Sequence, residues 1–182
     1  MNFLSCEIKF IIIKPIEQKV IGRSMPAELT IEDIGAHVGR EIGRSGWLRI
    51  DQARIDAFAD CTEDHQWIHV DREKAVAGPF GTTIAHGFLI LSLLPRLGQD
   101  VPFDPAGVAM NINYGLNRVR FIRPVPVDAE IRDTLVLKEA VDKGRGRILL
   151  TIQHTLHIRG QEDPACVAET LRMCMTGVSH RA

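Results

Sequence analysis

Ile84-Ala85-His86-Gly87-Phe88-Leu89-Ile90-Leu91-Ser92-Leu93-Leu94 is the stretch on which the fold turns. On a helical wheel it is apolar on nearly every side rather than along one stripe, which predicts a helix buried all round. Pro95 ends or kinks it near Leu94, because proline removes a backbone donor and clashes with the preceding turn. The run falls well short of the roughly 20 residues that span a bilayer, so its apolar surface must be covered by the rest of the chain. The cover lies downstream, where the period changes from helix to strand. Ile148, Leu150, Ile152, Leu156 and Ile158 alternate with Thr151, Gln153, Thr155 and His157, a half-buried antiparallel pattern with His154 on the apolar face. Residues 131–138 and 167–175 alternate more loosely. Met110, Ile112, Tyr114 and Leu116 give way to Val119 and Phe121 with the phase reversed, which implies a bulge around residues 115–117. Residues 142–146 and 159–164 read as hairpin loops. The pattern as a whole is that of an α+β domain, with an antiparallel sheet of about five strands wrapped around a buried central helix.

Upstream of that helix the elements are short. Thr30 and Asp33 form the pattern of a capping box, and the helix they open closes over residues 35–39. Residues 41–50 read as a strand. Asp51 caps an amphipathic helix from Gln52 to about Cys61, with Ile55, Phe58 and Ala59 on one face. A loop over residues 62–70 comes next, then Asp71 caps a helix over residues 72–77, ended by Gly78-Pro79. Residues 1–25 differ in texture from the more regular pattern that begins at Thr30. They read as an N-terminal appendage before a single domain over residues 26–182, or alternatively as an extra edge strand built on residues 8–13.

With 182 residues and 20.3 kDa the chain suits one domain with a sizeable core. Lys plus Arg of 22 against Asp plus Glu of 23 leaves a net charge of −1, which gives no electrostatic footprint for general nucleic-acid or acidic-membrane binding. Cys6, Cys61, Cys166 and Cys174 include no C-x-x-C pair, so a reduced cytoplasmic chain is expected. The apolar residues 10–13 are bracketed by Lys9 and Lys14, stopped by Pro15 and lack a small-residue cleavage pattern, so no signal peptide is read there.

Chemistry concentrates in two places: Asp64 and His69 on the loop after the amphipathic helix, and Ala85-His86-Gly87 at the start of the apolar one. An acid and an imidazole on an irregular loop can converge on one water, while the first turn of a helix offers unpaired backbone N–H groups. Together these suit an oxyanion intermediate. Turn statistics alone read Asp64 as a residue bonding its own backbone. His65 reads as a solvated loop residue, and His86 and His154 as hydrogen-bonded structural ones. Cys61, His65 and His69 recur every four residues, as metal ligands on one helix face would, but the segment must break after Cys61, so no metal is expected.

Asp64-His65-Gln66-Trp67-Ile68-His69-Val70-Asp71, followed by Ile84-Ala85-His86-Gly87-Phe88-Leu89, resembles the MaoC-like, (R)-specific enoyl-CoA hydratase family of hot-dog-fold proteins. The similarity covers roughly residues 30–177. The usual family loop reads D-x-N-P-x-H, and Gln66 and Trp67 replace its Asn and Pro. With Asn113-Tyr114-Gly115-Leu116-Asn117-Arg118-Val119-Arg120-Phe121, the variant looks like the nodulation-protein-N-like subgroup. A serine that some family enzymes carry eight residues after the helix glycine falls at Pro95. The resemblance implies that Asp64 and His69 activate the water that adds to C3 of a 2-enoyl thioester, that the Gly87 N–H polarises its carbonyl, and that no cofactor is needed. It implies an acyl-CoA or acyl-carrier-protein thioester as substrate and a homodimer as the assembly. A coenzyme A substrate would need cations for its phosphates. Arg118, Arg120 and Arg123, helped by Arg147, are the candidates. A non-catalytic acyl-thioester-binding accessory protein and an acyl-CoA thioesterase are the rival readings.

Overall fold

A computed structural model describes residues 29–176, so the expected appendage over residues 1–25 and its alternative, a strand on residues 8–13, lie outside the described residues. The first element is α1 (Ile31–Gly35), opened by the capping box. The Thr30 N–H donates to the Asp33 carboxylate at 3.0 Å and the Asp33 N–H to the Thr30 hydroxyl at 3.1 Å. The strand expected over residues 41–50 is two pieces, β1 (Glu41–Arg44) and β2 (Leu48–Arg49). Between them Ser45 turns inward, and its hydroxyl accepts from the Asp133 N–H at 2.9 Å. α2 (Gln52–Thr62) is capped by Asp51, which accepts from the Arg54 N–H. The expected loop after it contains a helical turn, α3 (Trp67–Val70), and Asp71 then caps α4 (Arg72–Val76).

The apolar stretch at 84–94 differs from expectation in two ways. Helix α5 spans only Gly87–Ser92, because Ile84 and Ala85 are extended, held between the Ile68 and Val125 carbonyls that accept from their N–H groups at 3.0 and 2.8 Å. Among the described residues it is also covered on one side only: Leu89 and Ile90 are buried, whereas Phe88 is 70% exposed. Among the described residues the sheet and the short helices pack on the near side of α5, and on its far side Phe88 meets the Phe121 ring edge to face. The helix breaks at Leu93, and α6 (Leu94–Gly98) starts anew with Pro95 in its first turn, where a missing N–H costs nothing.

The remaining strands are β3 (Val108–Phe121), β4 (Glu130–Gly144), β5 (Arg147–Ile158) and β6 (Cys166–Thr176). They form one antiparallel sheet in the order β1-β4-β5-β6-β3, with two-residue β2 also on β4, so the sheet has six strands rather than about five. β4 and β5 join through Arg145-Gly146, both at positive φ (56° and 68°), the conformation of a tight hairpin turn with the right-handed twist of its strands. The phase reversal read in β3 is two register shifts against β6, between Asn113 and Gly115 and between Leu116 and Arg118.

The buried face of the sheet carries two apolar clusters. One gathers Ile50, Ile55, Leu89, Ile90, Ile131 and Leu156, and the other Leu29, Ile34, Val101, Phe103, Leu135 and Ile152. A polar row crosses the sheet between them. His154, on the apolar face as its phase predicted, has Nδ1 2.6 Å from the buried Asp133 carboxylate and Nε2 3.0 Å from the Thr170 hydroxyl. Among the described residues no helix is long and apolar enough to cross a membrane.

Candidate active site

Local structure brings the loop acid and the loop imidazole together. Glu63 ends α2 in the left-handed conformation (φ 61°), which turns the chain and projects Asp64 from the exposed end of the helix. One helical turn later α3 buries His69, leaving it 6% exposed. The His69 Nδ1–H donates to the Ile84 carbonyl at 2.7 Å, which fixes the ring tautomer and leaves Nε2 as the lone pair. Among the described residues no protein group bonds that Nε2. Burial pushes the His69 imidazole below its ordinary value of 6.5, against the pull of the Ile84 carbonyl. The neighbouring His86 ring adds to the lowering and the Asp64 charge opposes it. A neutral imidazole with a free lone pair beside a carboxylate is the form a general base requires.

Two residues hold this pair. The His86 ring stacks on the His69 ring with centroids 3.7 Å apart and planes 25° apart, and its Nε2–H donates to the Asp64 carbonyl at 2.9 Å. Polar side-chain atoms of Asp64, His69 and His86 lie within 4.8 Å of one another. Stacked rings lie in near-parallel planes, a poor arrangement for two ligands of one ion. The second residue is Gln52. Its amide nitrogen donates to the His69 carbonyl at 2.7 Å and to Asp56 at 2.8 Å, and its amide oxygen accepts from the Thr83 hydroxyl at 2.6 Å. Sequence reading passed over Gln52, although a signal was present: it is a polar residue in helical phase with the buried Ile55 and Ala59.

His69 opens onto a cleft of about 280 Å³ whose walls include Gly87, Ile90, Phe121, Ile122 and Arg123. Gly87 is the first residue of α5, where the backbone N–H has no intrahelical acceptor. A side chain there would put its Cβ 3.1 Å from the Phe121 ring, which would have to give by a few tenths of an ångström to admit it. The structure thus brings Asp64, His69 and Gly87 to one region.

The basic residues do not all converge. Arg123 lines the cleft and its guanidinium bonds Asp163. Arg118 and Arg120 lie along the exposed edge strand β3, where Arg120 bonds the Val119 carbonyl. Arg147 sits at the hairpin end, opposite Met175, while Phe121 pairs with Cys166. Nine residues of strand separate those partners, roughly 30 Å, so Arg147 cannot assist at the cleft. The spacing of Cys61, His65 and His69 assembles nothing: His65 bonds Asp60 at 2.9 Å and His69 turns to Ile84. Trp67 packs its own loop, against Gly78 and under the Lys74 ammonium.

Known proteins carry the same arrangement of chain. The 3-hydroxyacyl-thioester dehydratase Z of Mycobacterium tuberculosis is 50% identical over 142 residues, which cover 78% of this chain and 93% of that protein. Nodulation protein N of Rhizobium leguminosarum bv. viciae is 43% identical over 142 residues, covering 78% and 88%. In three dimensions the (R)-hydratase from A. caviae involved in PHA biosynthesis superposes with a TM-score of 0.61 at 26% identity, over 74% of this chain and 94% of that one. The sheet wrapped on α5 is therefore the hot-dog fold. Residues 33–157 match the MaoC like domain, more than half of the chain, and the chain belongs to that family of dehydratases.

Proposed function

We propose that the chain is an (R)-specific hydratase of 2-enoyl thioesters, acting in reverse as a 3-hydroxyacyl-thioester dehydratase. The observation that carries this reading is a neutral His69 with its Nε2 free, beside Asp64, on a cleft that also holds the unpaired first N–H of α5. The dehydratase name of a relative that is half identical supports it. Water held between Asp64 and His69 loses a proton to the dyad as its oxygen bonds to C3 of the enoyl group. Electron density moves through C2 to the thioester oxygen, where the Gly87 N–H stabilises the enolate-like charge by about 3 kcal/mol. The dyad then returns the proton to C2 on the same face, and no redox group is consumed. Water and carbonyl donor sit on separate fixed elements, α3 with its loop and α5, so one prochiral face of C3 is open to attack.

The acyl group is carried as a coenzyme A or acyl-carrier-protein thioester, and Arg123 at the cleft is the best placed cation for its phosphates. The assembly is a homodimer, since β3 is a long edge strand with Met110, Ile112, Tyr114 and Leu116 exposed. A cytoplasmic place in acyl-thioester metabolism agrees with Cys61, Cys166 and Cys174 as free thiols.

The purified protein is expected to consume the enoyl absorbance of crotonyl-CoA or a longer 2-enoyl-CoA. Asp64→Asn and His69→Gln should each lower kcat by about 10²–10⁴ with the fold intact. The product should be inert to an (S)-specific 3-hydroxyacyl-CoA dehydrogenase with NAD. Thiol release without hydroxyacyl product would mean thioester hydrolysis, and rates unchanged in both variants would end the assignment.

A further inference from the structure

His86 belongs to the apolar stretch that made the helix legible, yet it is 3% exposed and it touches both members of the dyad. Its Nε2–H fastens the backbone of Asp64, and the face of its ring lies on His69. The ring is also in contact with Phe58 of α2, centroids 5.1 Å apart, so the imidazole is clamped in a layer between α2 and α3. Among the described residues its Nδ1 is buried without a protein partner. A purely structural histidine in such a place would be expected to use both nitrogens, because an unpaired buried polar atom is costly. An apolar ring of similar shape would stack as well without that cost, but it could not hold Asp64.

We propose that His86 is the positioning residue of the dyad, setting the distance and orientation between the Asp64 carboxylate and the His69 imidazole. The proposal rests on the hydratase reading of the same site. Asp64 stands on an exposed loop beyond the left-handed residue Glu63, and the described hydrogen bond that ties its own backbone back to the buried helix start is the one to His86. His69 is held at Nδ1 by the Ile84 carbonyl, two residues before His86 in the same extended segment. One short stretch of chain, residues 84–87, therefore aims the base, anchors the acid and presents the helix N–H. His86 acts through Asp64 and His69 rather than on the substrate.

Two variants divide its contacts. His86→Phe keeps a ring to stack and loses the donor to Asp64, and His86→Gln keeps a donor near the Nε2 position and loses the ring. Each is expected to lower kcat toward 2-enoyl-CoA by roughly 10- to 100-fold, with KM changed less than about 3-fold, since misplacing a reacting group by about 1 Å can cost about 10²-fold. The decisive measurement is the double variant with Asp64→Asn. A residue that acts through the dyad adds little once the acid is gone, so Asp64→Asn/His86→Phe should be no slower than Asp64→Asn alone within about 2-fold. Independent, multiplicative losses would reduce His86 to a packing residue and overturn the proposal, as would wild-type kcat in both single variants. Circular dichroism melts accompany the rates. If His86→Phe melts below the assay temperature, the cycle is run with His86→Gln, which loses the ring on His69, paired with His69→Gln, and the double variant should again be no slower than His69→Gln alone within about 2-fold. Absence of hydratase activity in the wild-type chain would instead refute the reaction, an outcome distinct from loss of coupling in an active enzyme.

Discussion

At His69 burial and charge oppose each other, and the net direction sets the working pH. The base form must be unprotonated, and burial lowers the ring below its ordinary value of 6.5. Activity limited by this group therefore falls as pH drops, with the fall centred below 6.5. A kcat/KM profile measured between pH 4.5 and 8 should show its acid limb centred below 6.5, and a centre above 6.5 would contradict the assigned base. Gln52 makes a different demand. Replacing it with methionine keeps the volume and strips the partners from the His69 carbonyl, the Thr83 hydroxyl and Asp56. A loss of about 1–3 kcal/mol in urea unfolding is expected, together with reduced kcat. Asp64, His69 and Gly87 stand out in the sequence as candidates because each sits in a motif of fixed spacing. Gln52 carried only the weaker signal of its helical phase, because two of its partners, the His69 carbonyl and the Thr83 hydroxyl, come from segments that packing brings to α2.

Among the elements, the sheet was the most legible part, since alternation states which face of a strand is buried. His154 announced itself as a polar residue in an apolar phase, and Asp133 did the same unnoticed between Ile131 and Leu135. Burial raises the Asp133 carboxyl, with His154 pulling the other way, and the pair spans β4 and β5 at the boundary of the two apolar clusters. Replacing His154 with leucine removes the side-chain partner of the buried Asp133, and a destabilisation of about 3–5 kcal/mol is expected in thermal or urea melts. A loss under 1 kcal/mol would mean that Asp133 is held by its other contacts. Helix α5 was legible in place but not in extent. Apolarity all round a wheel reports burial without reporting conformation, and the extended Ile84 and Ala85 are as buried as the helical Leu89 and Ile90. The turn α3 was missed because four residues are too few to establish a period.

At the scale of the molecule, the far side of α5 and the edge of strand β3, both left open among the described residues, are two halves of one fact. Phe88 and Phe121 meet edge to face at 6.0 Å on the surface, and the apolar residues of β3 continue outward from them. The full apolarity of the 84–94 stretch is accounted for if a second chain covers that side. Light scattering at micromolar concentration should give twice the 20.3 kDa chain mass, and Ile112→Lys on the edge should lower it towards one chain. A stable mass near 20.3 kDa in the unaltered chain would contradict the dimer.

Strand β3 ends in Phe121, a wall of the cleft, and among the described residues its outer edge is unpaired along the same fourteen residues. Occupation of the cleft and association of chains then draw on one element, and if association orders the Phe121 wall of the cleft, linkage makes each favour the other. Diluted enzyme should lose specific activity before it loses fold, and a saturating thioester should shift the association midpoint to lower protein concentration. If a second chain covers the apolar side chains of residues 84–94 that the described residues leave open, turnover becomes sensitive to how concentrated the protein is.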